Sequence, residues 1–361
     1  MAQIERRLPY VKAWIRGESV PSFSQLKDFA LITNVPVGVF FLSEPPIESL
    51  PIPYFRTRTG QPPNPSANLI DTVYAMLRRV NWMEEFLREQ GADRLAFVGS
   101  GRSTDPIDRL AERMRGVLGL SKRWAREVPT WSDALRYLRQ RMEHAGILVV
   151  VNSVVGANTR RKLDPQEFRG FVIVNDYAPL VFVNGADGKA AQMFTLAHEL
   201  AHLFLGQSAI FDLVHLDPAD DPVERLCNQV AAEFLVPAQQ LRQEWPRGGD
   251  VRQATGEIAR AFKVSSLVAA RKAVDEGLIN RDAFLTFYAA YQEDEHRRLP
   301  EGQRRGNFWR SMELRLSPTF ARTVIQAVRQ GDLLYSEAYR LTGLYGKTFD
   351  RLMQRLLSEE G

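Results

Sequence analysis

His198-Glu199-Leu200-Ala201-His202 constrains this chain more than any other stretch. It reads H-E-x-x-H inside a helical apolar pattern of Met193, Leu196, Leu200, Leu203 and Phe204. Side chains four apart share one helix face, so both imidazoles can reach one ion. Glu199 lies one step round the helix, beside that ion without being needed as a ligand. Asp187, following Asn184-Gly185, is the predicted N-cap, and Gly206 the predicted C-cap. The chemistry implied is that of a zinc peptidase: two His ligands, an open coordination site and a carboxylate to take a proton. The competing structural reading is a surface helix with two solvated histidines.

The chain has 361 residues, enough for two or three domains. Its single Cys, Cys227, excludes a disulfide framework and a Cys-based zinc ribbon, and suits a reducing compartment. No early stretch has the build of a signal peptide. The best apolar run, near Val35 to Leu42, is short and contains Pro36, so no membrane span is expected. A cytoplasmic protein is the resulting expectation. The net charge of +4 permits nucleic-acid contact without arguing for it.

Residues 1–43 read as small and helical. Residues 44–66 begin with four Pro between 45 and 53 and read as a linker. Val73, Met76, Leu77, Val80, Met83 and Leu87 predict a long amphipathic helix over 71–90. Two more are predicted over 106–118 and 131–144. Strands are predicted over 147–151, 168–175 and 180–184, feeding the H-E-x-x-H helix. Residues 67–245 are thus read as a metallopeptidase domain with a helical first part, and 246–361 as a helical C-terminal region. Within the latter, residues 251–279 have helix-turn-helix spacing, with Ser265 as a cap; a helical pair packed on the core reads equally well. The fold class expected is α+β: a small sheet packed on the H-E-x-x-H helix, zincin- or gluzincin-like, with helical regions at both ends.

A catalytic zinc usually takes three protein ligands. His144 ends a helix, His215 lies in an acidic loop and His296 in a charged run, so all three read as solvated. Glu224 is the better candidate. It opens a helix whose apolar face is Leu226, Val230, Ala231, Phe234 and Leu235. Asn228, one turn on, can hold a ligating imidazole by its free ring nitrogen. Glu233 is the rival, about half a helix revolution from Glu224, so the two are not expected to share one ion. The bland reading of Glu224 is a first-turn acid favoured by the helix dipole. Tyr177 and Arg160 are weak candidates for stabilising an oxyanion.

Phe194-Thr195-Leu196-Ala197-His198-Glu199-Leu200-Ala201-His202, with Glu224-x-x-x-Asn228-x-x-Ala231-Ala232-Glu233-Phe234-Leu235-Val236-Pro237, resembles the ImmA/IrrE metallopeptidases of bacteria and their mobile elements. Arg161-Lys162-Leu163-Asp164 with Phe168-Arg169-Gly170-Phe171 resembles the strand region of their longer members. The likeness covers about 140–285. It implies His198, His202 and Glu224 as ligands and Glu199 as the catalytic carboxylate. It also implies a DNA-binding repressor as partner, cleaved or inactivated to switch on stress-response, prophage or transfer genes. Val11 to Glu18 and Pro21 to Leu42 resemble the later helices of an XRE-type helix-turn-helix whose first helices are missing. Residues 1–50 carry five Lys plus Arg and five Asp plus Glu, so no basic stripe supports DNA binding there. The apolar residues Trp14, Leu26, Phe29, Phe40 and Phe41 nevertheless call for burial.

The combined expectation is a Zn2+-dependent endopeptidase, Mn2+ being also compatible with a donor set of two imidazoles and a carboxylate. Its substrate is expected to be a repressor of the XRE type, bound by strand addition along 168–175. The alternatives are a metal-bound transcriptional regulator and a toxin–antitoxin component, both acting without proteolysis.

Overall fold

The computed structural model describes residues 2–297 and 308–358, apart from 34, 45, 47–49, 53–64, 212–220, 247 and 249. The strands are β1 (Leu148–Asn152), β2 (Val154–Val155), β3 (Asn158–Lys162), β4 (Gly170–Ile173), β5 (Leu180–Asn184) and β6 (Ala209–Phe211). One four-stranded sheet has the order β1-β5-β4-β6, with β1 and β5 parallel and the other pairs antiparallel. β2 and β3 form a separate ribbon that the sequence patterns did not predict.

Three short helices, α1 (Ala2–Arg7), α2 (Val11–Ile15) and α3 (Phe23–Thr33), open the chain. α4 (Ala67–Glu89), α5 (Ile107–Leu118) and α6 (Trp131–His144) precede the sheet. After β5 come α7 (Lys189–Leu205), which carries the H-E-x-x-H stretch, and α8 (Pro222–Leu235). α9 (Ala238–Glu244), α10 (Val251–Phe262), α11 (Ser266–Asp275) and α12 (Arg281–Arg297) follow. The last group is α13 (Phe308–Leu316), α14 (Pro318–Gln330), α15 (Tyr335–Thr342) and α16 (Lys347–Ser358). The predicted helices and strands are present with their ends moved by a few residues, and the chain is α+β.

Strand alternation explains the layering. Val149, Val151, Val172, Val181 and Val183 point into a core shared with α5, α6, α7, α8, α10 and α11. Leu148, Val150, Phe171, Ile173, Leu180 and Phe182 point the other way, into a core shared with α4, α14, α15 and α16. Both faces are covered, which is why β1 and β5 read as unbroken apolar runs rather than alternating ones. On the second face Phe171 and Phe182 stack at 4.8 Å. Two charged residues tie the far helices down. Arg79 donates to Leu341 O at 3.0 Å and Arg315 O at 2.8 Å. Glu143 accepts from Val149 N, Ser317 Oγ and Thr319 N.

Three expectations need correction. Asp187 is not the N-cap of α7: Gly188 holds that position without a side-chain cap. Asp187 Oδ1 instead accepts from Gly188 N at 2.8 Å, and Oδ2 pairs with Arg169, so neither oxygen serves the first turn. The apolar residues of the N-terminal segment are not fully buried. Trp14, Leu26, Phe29 and Phe40 are half-buried, and Phe41 is 68% exposed. Trp14 meets Phe29 edge to ring and Phe29 meets Phe40 at a tilt, but three short helices enclose little volume. Finally, β4 cannot accept an added strand, since β5 and β6 already occupy both its edges. Most of the Pro-rich stretch 44–66 lies outside the described residues.

The pair α10–α11 turns at Lys263, whose φ of 57° is left-handed, and Ser265 caps α11 through Val268 N. Ile258, Phe262, Val264, Val268 and Ala269 sit in the same core as α7 and α8. The apolar face of this pair is therefore packed against the sheet-bearing core.

Candidate metal centre

α7 and α8 bring the site together. α7 ends where expected, at Gly206 with φ 69°. α8 starts at Asp221, whose side chain accepts from Val223 N and Glu224 N, so Glu224 is fixed in a capped first turn. The two helices pack through an apolar seam that includes Leu200, Ala201, Cys227, Val230 and Ala231. That seam places the Glu224 carboxylate opposite both imidazoles. Glu224 Oε2 lies 3.2 Å from His198 Nε2, and Oε1 lies 3.2 Å from His202 Nε2. The two Nε2 atoms are 3.0 Å apart. His198, Glu199 and His202 are fully buried, and Glu224 nearly so.

This geometry fits a divalent cation. His198 Nδ1 donates to Asn228 Oδ1 at 3.0 Å, which leaves the lone pair of His198 on Nε2. Three electron-rich atoms thus converge in a dry interior, an arrangement costly without a positive charge between them. Tetrahedral bonds of about 2.0–2.1 Å place neighbouring donors about 3.3 Å apart, close to the spacing seen. His198, His202 and Glu224 together form a group able to hold a metal ion. Burial lowers the pKa of His198 against the opposing pull of Glu224, favouring the neutral imidazole a metal needs. Burial alone would raise Glu224, but hydrogen bonds and charge from the two imidazoles outweigh it and hold the carboxyl below the usual range.

Glu199 stands beside this group. Both its oxygens are buried and have no hydrogen-bond partner among the described residues. Burial, reinforced by the Glu224 charge, pushes its carboxyl well above the usual carboxylate range. A carboxyl held so is a better proton acceptor than an ordinary carboxylate.

The other sequence candidates lie elsewhere. Glu233 pairs with Lys272 Nζ at 2.6 Å and accepts from Ala238 N, so it joins α8 to α11 and α9. His144 is exposed at the end of α6, bonded to Gln140 O. His215 lies outside the described residues, and His296 falls in α12. Tyr177 accepts from Arg94 in the turn between β4 and β5, the opposite end of β4 from Gly170, and Arg160 lies in the exposed ribbon strand β3. Neither is brought to Glu199. One neighbour was missed. A Cβ at Gly170 would lie 3.1 Å from Glu199 Oε1, so β4 touches the carboxylate there. A glycine inside an apolar strand run is the signal that could have found it.

Residues 142–274 match the family described as the IrrE N-terminal-like domain of peptidases, spanning β1 to α11 and the whole convergent group. This segment is similar to that family. Two curated proteins similar to part of this chain are the radiation response metalloproteases IrrE of Deinococcus radiodurans and of Deinococcus deserti. The first is 33% identical over 92 residues, covering 24% of this chain and 28% of the relative. The second is 34% identical over 92 residues, covering 24% of this chain and 33% of the relative. The chain therefore spans a third or less of each relative. Around this IrrE-like domain the match stops short of α1–α5 and of α12–α16; residues 316–355 match a second family, a domain of unknown function. No helix among the described residues is long and apolar enough to cross a membrane.

Proposed function

We propose that this chain is a metal-dependent endopeptidase in which His198, His202 and Glu224 hold a divalent cation and Glu199 is the catalytic carboxylate. The observation that carries the proposal is the buried convergence of those three donors beside a carboxyl that has no hydrogen-bond partner among the described residues. Zn2+, or Mn2+ on the same donors, would supply Lewis-acid polarisation and water activation at neutral pH. Asn228 holds the His198 ring in the tautomer that presents Nε2. Glu199, kept basic enough by burial, accepts the proton of the attacking water and passes it to the departing amide nitrogen. An extended substrate would add at β6, the edge strand, whose Phe211 pairs with Gly170 beside Glu199.

The substrate proposed is a DNA-binding repressor of the XRE type, whose loss would switch on stress-response or mobile-element genes. Support comes from the likeness of residues 142–274 to the IrrE N-terminal-like domain, and of 92 residues of the chain to a protein described as a radiation response metalloprotease. The test uses purified DNA-binding repressors of the XRE type as probes. Glu199→Gln should retain metal and lose cleavage by about 10²–10⁴-fold, the range for removing a general base. His198→Ala should lose both. Equal metal content in wild type and His198→Ala would sink the proposal. Repressor inactivation that persists in Glu199→Gln without cleavage would favour a non-proteolytic regulator.

A further inference from the structure

The residue facing the Glu199 carboxylate has no side chain. Strand alternation puts position 170 on the α7 face of the sheet, together with Val172. A Cβ there would lie 2.5 Å from Thr195 Cγ2, 2.8 Å from Phe182 O and 3.1 Å from Glu199 Oε1. The backbone of Gly170 is ordinary strand and has no positive φ that would demand glycine. Glycine also weakens strands. Space alone explains its presence. Thr195 and Glu199 are four apart on α7, so one ridge of the helix rests on β4 at this point.

Neither Glu199 oxygen has a hydrogen-bond partner among the described residues, so no protein donor fixes the carboxylate. Steric contact is then what limits where it can lie. On one side it meets the backbone of β4, and on the other stands the group of His198, His202 and Glu224. None of the three atoms nearest a Cβ at 170 belongs to that group. Filling the space should thus disturb Glu199 and leave the donors in place.

We propose that Gly170 is a positioning residue for Glu199: the bare strand backbone is the shelf that sets the height of the carboxylate over the metal-holding group. The proposal rests on the metallopeptidase reading above. A methyl group at 170 cannot displace Phe182 O, which belongs to the backbone of β5. The side chains of Thr195 and Glu199 are then what must give way, and the carboxylate swings. A misplacement near 1 Å at a reacting group costs about 10²-fold in rate.

The experiment compares the full chain with Gly170→Ala and with Gly170→Ala/Thr195→Ser, which removes the methyl group at 2.5 Å. Four quantities are read: zinc per chain, Tm, the crystal structure, and kcat and KM on the peptide that the wild type cuts fastest from a mixed library. In Gly170→Ala, zinc content should match the wild type, the Glu199 carboxylate should shift relative to His198 and His202, and kcat should fall about 10²-fold with little change in KM. Thr195→Ser in that background should restore Tm and leave kcat low. Recovery of both would show that Gly170 only makes room for Thr195 and would overturn the proposal. So would an unmoved Glu199 in the crystal structure, or a double variant that fails to fold. A wild type that cuts no peptide and no repressor would defeat the peptidase reading instead, while the crystallographic shift would still decide the role of Gly170.

Discussion

At the residue scale, the roles of two polar residues on α8 can be separated by metal content. Asn228→Ala removes the acceptor that orients His198, and loss of such an orienting partner weakens metal binding by about 10–100-fold. Zinc titration against a competing chelator measures it, and unchanged affinity would mean that the hydrogen bond does not orient the ligand. Glu233→Ala should keep its metal and lose about 1–3 kcal/mol of stability, because buried Lys272 and Ala238 N each lose a partner. Denaturant unfolding reads the second effect. A metal-free Glu233→Ala would mean that the ligand is nine residues from where it has been placed. The spacing within each helix made it legible that His198 and His202 share a face of α7 and Glu224 and Asn228 a face of α8; the meeting of the two faces comes from tertiary packing. Gly170 was not legible, since a glycine shows its meaning only when the element it faces is known. The Asp187 cap failed for a related reason: Arg169, eighteen positions away in sequence, pairs with one of its carboxylate oxygens.

At the element scale, the H-E-x-x-H helix and α8 face each other across the group of His198, His202 and Glu224. An ion bound there joins α7 to α8 and stabilises the pair by RT ln(1 + [L]/Kd), about 2.7 kcal/mol at a hundredfold excess over Kd. Chelator should therefore lower the Tm of the wild type and leave His198→Ala unmoved; equal shifts in the two would place the effect outside this group. The staples on the other side of the sheet can be tested without touching the site. Glu143→Ala leaves buried Val149 N and the start of α14 without their acceptor. A loss of about 2–4 kcal/mol should follow in thermal unfolding, with metal content preserved. The helices and the three main strands were predictable from periodicity. Their layering was not, because an apolar run does not say which partner will cover each face. The pair α10–α11 shows this: its spacing suited a nucleic-acid reader, yet its apolar face packs beside α7 and α8.

At the scale of the whole molecule, the N-terminal helices and the last four helices behave oppositely. The first three expose Ile15, Phe23 and Leu31 and bury few side chains. Deleting residues 1–43 should leave metal content unchanged and move the main thermal transition by no more than about 2–4 °C, the shift that 1 kcal/mol gives in a domain of this size. It should also leave any salt-sensitive DNA binding unchanged; a larger loss of either would assign the segment a structural or DNA-binding role. The final helices, by contrast, supply Phe320, Val324, Leu344, Phe349 and Leu352 to the core behind the sheet. That arrangement has a consequence for how the protein is made. At about 5–20 residues per second, a translating ribosome needs roughly 6–25 s to go from the end of α8 to the end of α16. During that interval the donors of the site have been synthesised, while Phe171 and Phe182 have α4 on their side of the sheet but still await α14, α15 and α16. A nascent chain in this state offers chaperones a partly covered apolar sheet face, and its maturation is timed by the arrival of its C-terminal helices.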